Sequence, residues 1–148
     1  MLSLKVLIVD DMPEVRKLLM ETLRFCRLAR FEFVEAGDGQ SALDGYDTDR
    51  VDLCFVDWNM PKMNGIEFVR NARMRERGGK RIPMIMVTGE HAVGKIDEAL
   101  DAAGADAYLC KPFSLRDLKL KVGRIVDKLE LASSPPPAPG GFMSWLMN

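Results

Sequence analysis

Residues 51–65 read Val51-Asp52-Leu53-Cys54-Phe55-Val56-Asp57-Trp58-Asn59-Met60-Pro61-Lys62-Met63-Asn64-Gly65, and this stretch decides the fold. The run from Val51 to Val56 is short and almost continuously apolar, which is how a strand covered on both faces reads. It ends on a carboxylate, Asp57, followed by a segment holding Pro61 and Gly65. Runs of the same kind stand at Leu4 to Val9 and Ile82 to Val87, with two further runs at Phe31 to Ala36 and Ala107 to Cys110.

Amphipathic segments separate these runs. Pro13 suits a first helical position, where its missing N–H costs nothing, and Val15, Leu18, Leu19 and Leu23 then share a face. Ser114 is placed to cap a last helix whose apolar stripe is Leu115, Leu118, Val122, Ile125, Val126 and Leu129. Strands alternating with helices predict an α/β fold, a five-stranded parallel sheet sandwiched between helices. Right-handed crossovers narrow this to an open, doubly wound arrangement.

After Leu131 the composition changes. Residues 132–141 are rich in Pro, Gly and Ser and predict an extended linker, leaving 1–131 as the folded domain. Residues 142–148 form a short apolar tail in which Phe142, Trp145 and Leu146 share one helical face. Two readings stand for it: a mobile appendage, or a segment that docks into a hydrophobic groove on this domain or on a partner.

Composition excludes several classes. With 21 Lys and Arg against 22 Asp and Glu, the formal net charge is −1 and nothing points to nucleic acid or membrane surfaces. No stretch reaches the ~18 apolar residues of a membrane span. The first residues lack a basic leader and a small-residue cleavage site, so a cytoplasmic protein is expected. Cys26, Cys54 and Cys110 are odd in number, far apart and set in apolar segments, which predicts reduced core thiols.

In an open parallel sheet, ligands sit beyond the carboxyl ends of the strands. There the sequence gathers Asp10 and Asp11 after the first run, Asp57 after the third, Thr88 after the fourth and Lys111 after the fifth. Clustered carboxylates repel unless a counter-charge joins them, and Mg²⁺ is a cation suited to one or two carboxylates plus a phosphate. An ionised Asp57 can then attack phosphorus without a base, while Thr88 and Lys111 supply a hydroxyl and a point charge to the phosphoryl oxygens. Gly89 leaves room for the incoming group.

At these residues the chain resembles the receiver domain of two-component response regulators, most of all the single-domain chemotaxis type. The matching segments are VLIVDDMPEVRKLL, EAGDGQSAL, CFVDWNMPKMNGIEFV, PMIMVTGE and GADAYLCKPF, covering roughly residues 4–130. The resemblance implies the flavodoxin-like strand order 2-1-3-4-5. It implies Asp57 as phospho-acceptor, with Mg²⁺ held by Asp11, Asp57 and the backbone carbonyl of Asn59, and by Asp10 partly through water. It implies phosphoryl binding by Thr88 and Lys111, a cis Lys111-Pro112 peptide, and a switch in which Thr88 moves inward and Tyr108 turns after it. The face reshaped is that of the fifth strand and the helices flanking it. Asn59 and Glu90 flank the path of water to the phosphoaspartate, which predicts rapid self-dephosphorylation.

The implied partners are a sensor histidine kinase as donor and a downstream protein, such as a flagellar motor switch component, bound by a monomer. A stand-alone messenger and a phosphoryl shuttle are both compatible with the sequence. A phosphohydrolase of the haloacid dehalogenase type is disfavoured, because its general acid–base aspartate would fall at Asn59. A nucleotide-binding module lacks its glycine-rich loop here. Taken singly, Thr88 reads as a strand-end residue, Lys111 as a surface lysine and Tyr108 as a core aromatic. Trp58 is expected to be partly exposed, and His91 is not expected to carry phosphate.

Overall fold

Five strands, β1 (Ser3–Val9), β2 (Arg30–Ala36), β3 (Leu53–Asp57), β4 (Met84–Thr88) and β5 (Ala107–Cys110), form one parallel sheet in the order β2-β1-β3-β4-β5. This is the order that the family resemblance implied, and the sheet is open and doubly wound as the crossover rule predicted. The structure, a computed structural model, describes residues 1–76, 78–89, 97, 101 and 103–133. Glu90, His91 and residues 134–148, with most of the expected linker and the whole apolar tail, lie outside the described residues.

The pleat sorts the strand residues into two cores. Val6, Ile8, Leu53, Phe55, Ile85, Val87 and Leu109 pack on one face of the sheet. They are covered by α1 (Pro13–Cys26) and the last helix (Leu115–Ser133), through residues such as Leu19, Leu23, Leu118 and Val122. Leu7, Val9, Cys54, Val56, Met84 and Met86 point the other way, toward Ala42 and Leu43 of α2 (Gly39–Asp44) and Phe68 and Val69 of α3 (Gly65–Met74). Burying a side chain such as Phe55 or Phe68 contributes roughly 1.5–3 kcal/mol.

Local chemistry starts the helices. Pro13 opens α1, and Arg27 closes it in the left-handed conformation at φ 53°. The Asp38 carboxylate accepts a hydrogen bond from the Ser41 N–H to cap α2, and Asn64 does the same for Glu67 in α3. The Ser114 hydroxyl accepts from the Asp117 N–H at 3.1 Å, the cap expected for the last helix.

Several expectations shift. Leu18 and Leu115 are exposed, so the buried stripe of α1 runs through Val15, Leu19 and Leu23, and that of the last helix begins at Leu118. A spacing of four residues holds that stripe, and Leu18 falls to its side. Val51 and Ile82 are buried but stand ahead of β3 and β4, because ladder pairing begins at Leu53 opposite Val6 and at Met84 opposite Cys54. The last helix continues to Ser133, two residues past the expected boundary. All three cysteines are free, but only Cys54 is fully buried. Among the described residues, no helix is long and apolar enough to cross a membrane.

Candidate functional site

The register sets the site. Ala36, Val9, Val56, Met86 and Tyr108 form one row across the sheet, and the next residues on β1 and β3 are Asp10 and Asp57. Thr88 and Cys110 pair one step further on, so Lys111 leaves β5 beside Thr88. Four chain segments thus deliver charged or polar side chains to one edge.

Asp10 is 1% exposed and fully engaged. Its backbone N–H donates to Ala36 at 3.1 Å, its Oδ1 accepts from the Met12 N–H at 2.8 Å, and its carbonyl accepts from Arg16 Nη1 at 2.6 Å. Arg16 Nε also pairs with Glu35 at 3.1 Å, which ties α1 to β2 beneath the site. Asp11 is exposed. Sequence reasoning missed Arg16, whose only local signal is a basic residue in the first turn after the paired aspartates.

Asp57 is buried at the end of β3. The backbone that follows is pinned on both sides: the Trp58 N–H donates to Val87 at 3.1 Å, and the Trp58 carbonyl accepts from Gly65 at 2.9 Å. Gly65 is a position of close approach, because a Cβ there would lie 2.4 Å from the Asp57 carbonyl oxygen. Trp58 is half-buried, and Asn59 is exposed on the loop after β3.

Lys111 joins the two buried carboxylates. Its backbone N–H donates to Thr88 at 2.7 Å, and its ammonium reaches Asp57 Oδ1 at 3.2 Å and Asp10 Oδ2 at 3.3 Å. The Lys111-Pro112 peptide is cis, as the resemblance implied. Thr88 is fully buried, and no described atom lies within 4 Å of where a Gly89 Cβ would stand. Tyr108 is half-buried, with Lys121 Nζ 4.0 Å from its ring centroid and donating to its carbonyl.

Burial raises the pKa of Asp57, and the Asp10 carboxylate raises it further; Lys111 opposes both without cancelling them. For Lys111, burial favours the neutral amine, but Asp57 and Asp10 outweigh it and the pKa is raised. Among the described residues, three carboxylates meet one ammonium at this edge. Carboxylate oxygens of Asp10, Asp11 and Asp57 lie within 4.8 Å of one another. An all-oxygen, anionic donor set at that spacing fits a hard divalent cation.

Fold and site together define a class. The family signature described as the response regulator receiver domain matches residues 6–123, and the chain belongs to that family. It is a phosphorylation-activated signalling switch rather than a conventional enzyme.

Within that class it is similar to chemotaxis proteins. It is 38% identical over 126 residues to the chemotaxis protein CheY of Pseudomonas aeruginosa, an alignment covering 85% of this chain and 98% of that protein. It is 36% identical over 127 residues to CheY-3 of Vibrio cholerae, covering 86% and 95%. Among solved structures, Vibrio cholerae CheY4 superposes with a TM-score of 0.72 at 35% identity, over 83% of this chain and 98% of that one. The receiver domain of a Pseudomonas aeruginosa sensor histidine kinase, solved with a magnesium ion coordinated in its active-site cleft, gives 0.70 at 26% identity, over 84% and 98%.

Proposed function

We propose that Asp57 is the phospho-acceptor, that Asp10, Asp11, Asp57 and the Asn59 backbone carbonyl hold Mg²⁺, and that Thr88 and Lys111 bind the phosphoryl oxygens. One observation carries the reading: Lys111 Nζ lies 3.2 Å from Asp57 and 3.3 Å from Asp10 within a cluster of three carboxylates. The magnesium-bound cleft of the related kinase receiver supports the choice of ion.

The donor is a sensor histidine kinase carrying a phosphohistidine. An Asp57 carboxylate oxygen attacks phosphorus, the P–N bond breaks, and its electron pair returns to the imidazole nitrogen, which takes up a proton. Bound Mg²⁺ supplies positive charge that keeps the carboxylates ionised and offsets the charge of the phosphoryl oxygens. Lys111 exchanges its carboxylate partner for a phosphoryl oxygen, and the Thr88 hydroxyl donates to another. Because these contacts exist only with the phosphoryl group, they favour a second conformation in which Thr88 has moved inward and Tyr108 has turned. The face carrying Tyr108 then meets the target, and the chemotaxis names of the relatives favour a flagellar motor switch component. Asn59 and Glu90 leave water a path to the phosphoaspartate, so the chain removes its own phosphoryl group quickly. Residues 1–133 are the receiver, 134–141 a linker and 142–148 an appended segment.

Incubation with labelled histidine kinase, or with a small acyl phosphate, tests the reading. Wild-type chain is expected to take up acid-stable, base-labile label only with Mg²⁺, and Asp57→Asn to take up none. Labelling of Asp57→Asn at the wild-type rate would overturn it. Sustained turnover of a phosphate monoester would instead indicate a phosphohydrolase.

A further inference from the structure

Between β5 and the last helix runs a groove that the phosphoryl chemistry does not use. Near the end of the helix it is a cavity of about 380 Å³, with Pro83, Ile125, Leu129 and Ala132 along its walls. It continues past Ile125 as a second cavity of about 330 Å³ that reaches Ala107 and Tyr108. Its floor is apolar and its rim is basic, with Lys121, Arg124 and Lys128. Among the described residues the one carboxylate on its wall, Asp106, is already paired with Arg73 and Arg81 at 2.8 and 3.2 Å.

We propose that this groove is the docking site of the chain's own residues 142–146, Phe142-Met143-Ser144-Trp145-Leu146. The last helix is described to Ser133, and Ala132, one residue earlier, lines the mouth of the groove. From Ala132 back to Lys121 is about 16 Å of helix. Residues 134–141 span about 16 Å as a flexible coil and about 25 Å if extended, so Phe142 can reach any point along the groove. From Ser134 onward the sequence has no Lys, Arg, Asp or Glu, so nothing in it is repelled by the basic rim. Phe142, Trp145 and Leu146 share one face at helical spacing, and the ring of Trp145 can lie against a rim cation. A tether this short holds the segment at an effective concentration on the order of millimolar, so weak intrinsic affinity suffices.

A second apolar groove, between Leu28 and the residues Leu115, Leu120 and Gly123, competes for the same segment. Its apolar residues Leu115 and Leu120 lie roughly 20–27 Å back from the helix end, so only a nearly extended tether reaches them, whereas the first groove opens at Ala132. Occupation of the first groove covers the surface beside Tyr108. That docking regulates target access rests on the functional reading of this face; the docking itself does not.

The test uses the ¹⁵N-labelled full-length chain, unphosphorylated and without Mg²⁺, so its outcome is independent of the Asp57 assignment. Phe142→Ala and Trp145→Ala are each expected to move the amide resonances of Ala107, Ile125, Lys128 and Leu129, equally at high and low protein concentration. Leu129→Ala is expected to move the Trp145 indole N–H in return. Unmoved groove resonances would overturn the proposal, as would shifts confined to Leu28, Leu115 and Leu120. Shifts that vanish on dilution would mean a second copy is the occupant, and would overturn it equally.

Discussion

Lys111 Nζ stands 3.2 Å from Asp57 Oδ1, although 54 positions separate the two residues in the chain. The contact exists because β3 and β5 flank β4 and release both residues at the same edge. Under the proposed function Lys111 has two tasks, to favour the ionised form of Asp57 and to donate to the phosphoryl oxygens. Lys111→Ala removes both. Phosphoryl uptake from an acyl phosphate is expected to slow by roughly 100-fold, the scale of losing one charge-stabilising donor. Rapid-quench labelling at saturating Mg²⁺ measures it, and a rate within twofold of wild type would remove Lys111 from the transfer step.

Asp57 is expected to weaken the metal-free fold that it serves. Its folded pKa is raised, by burial first and by Asp10 next. A raised carboxyl pKa means the fold prefers the neutral form. The contribution to stability is therefore full below the unfolded pKa and is lost as pH rises through the folded value. At neutral pH the carboxylate is a liability, so Asp57→Asn should stabilise the apo chain by about 1 kcal/mol. Urea melts in chelator should show this gain at pH 7 and its decline as pH falls toward 4. Excess Mg²⁺ should stabilise the wild type and narrow the gap. A less stable Asp57→Asn chain at pH 7 would contradict the sign.

At the opposite end of β4, Arg73 is expected to behave in the other direction. Its side chain is 12% exposed and donates to the carbonyls of Gly104 at 3.0 Å and Ile82 at 2.6 Å, to Glu76, and to Asp106 at 2.8 Å. Asp106 in turn accepts from the Met84 N–H at 2.8 Å. Arg73→Ala leaves Glu76 and two carbonyls buried without this donor. A loss of about 3 kcal/mol is expected, the lower end of what breaking a buried pair costs. Chemical denaturation measures it, and a loss under 1 kcal/mol would mean that water replaces the guanidinium.

What the sequence made legible follows from the range of the forces involved. Strand type and the meeting of Asp10, Asp57, Thr88 and Lys111 could be read because a parallel sheet sends the carboxyl end of every strand to one edge, whereas the strand order was implied by the family resemblance. The split between Asp10 and Asp11 could not: adjacent aspartates look alike until Met12 and Arg16 fold back onto Asp10 and bury it. Nor could the Arg73 network, whose partner Asp106 lies 33 positions away with no periodicity linking them. Leu18 and Leu115 were assigned inward because periodicity sees composition and spacing, but not where a neighbouring helix stops covering a face.

Two glycines separate packing from backbone freedom. A Cβ at Gly65 would sit 2.4 Å from the Asp57 carbonyl oxygen, 2.7 Å from Met86 Cε and 2.9 Å from Trp58 Cα. Two of these atoms are backbone and cannot swing aside, so α3 must move off β3, dragging the segment that orients Asp57. Gly65→Ala is expected to cost roughly 2–3 kcal/mol and to lower phosphoryl uptake as well as stability. Gly123, inside the last helix, has nothing within 4 Å of its Cβ position and no positive φ. There Ala only narrows the unfolded ensemble and improves helix propensity, so Gly123→Ala should stabilise by roughly 0.5–1 kcal/mol with labelling unchanged. Paired denaturation curves and labelling rates on the two variants decide it. If Gly65→Ala were as stable and as readily labelled as Gly123→Ala, the close approach of α3 to Asp57 would not be what positions the carboxylate.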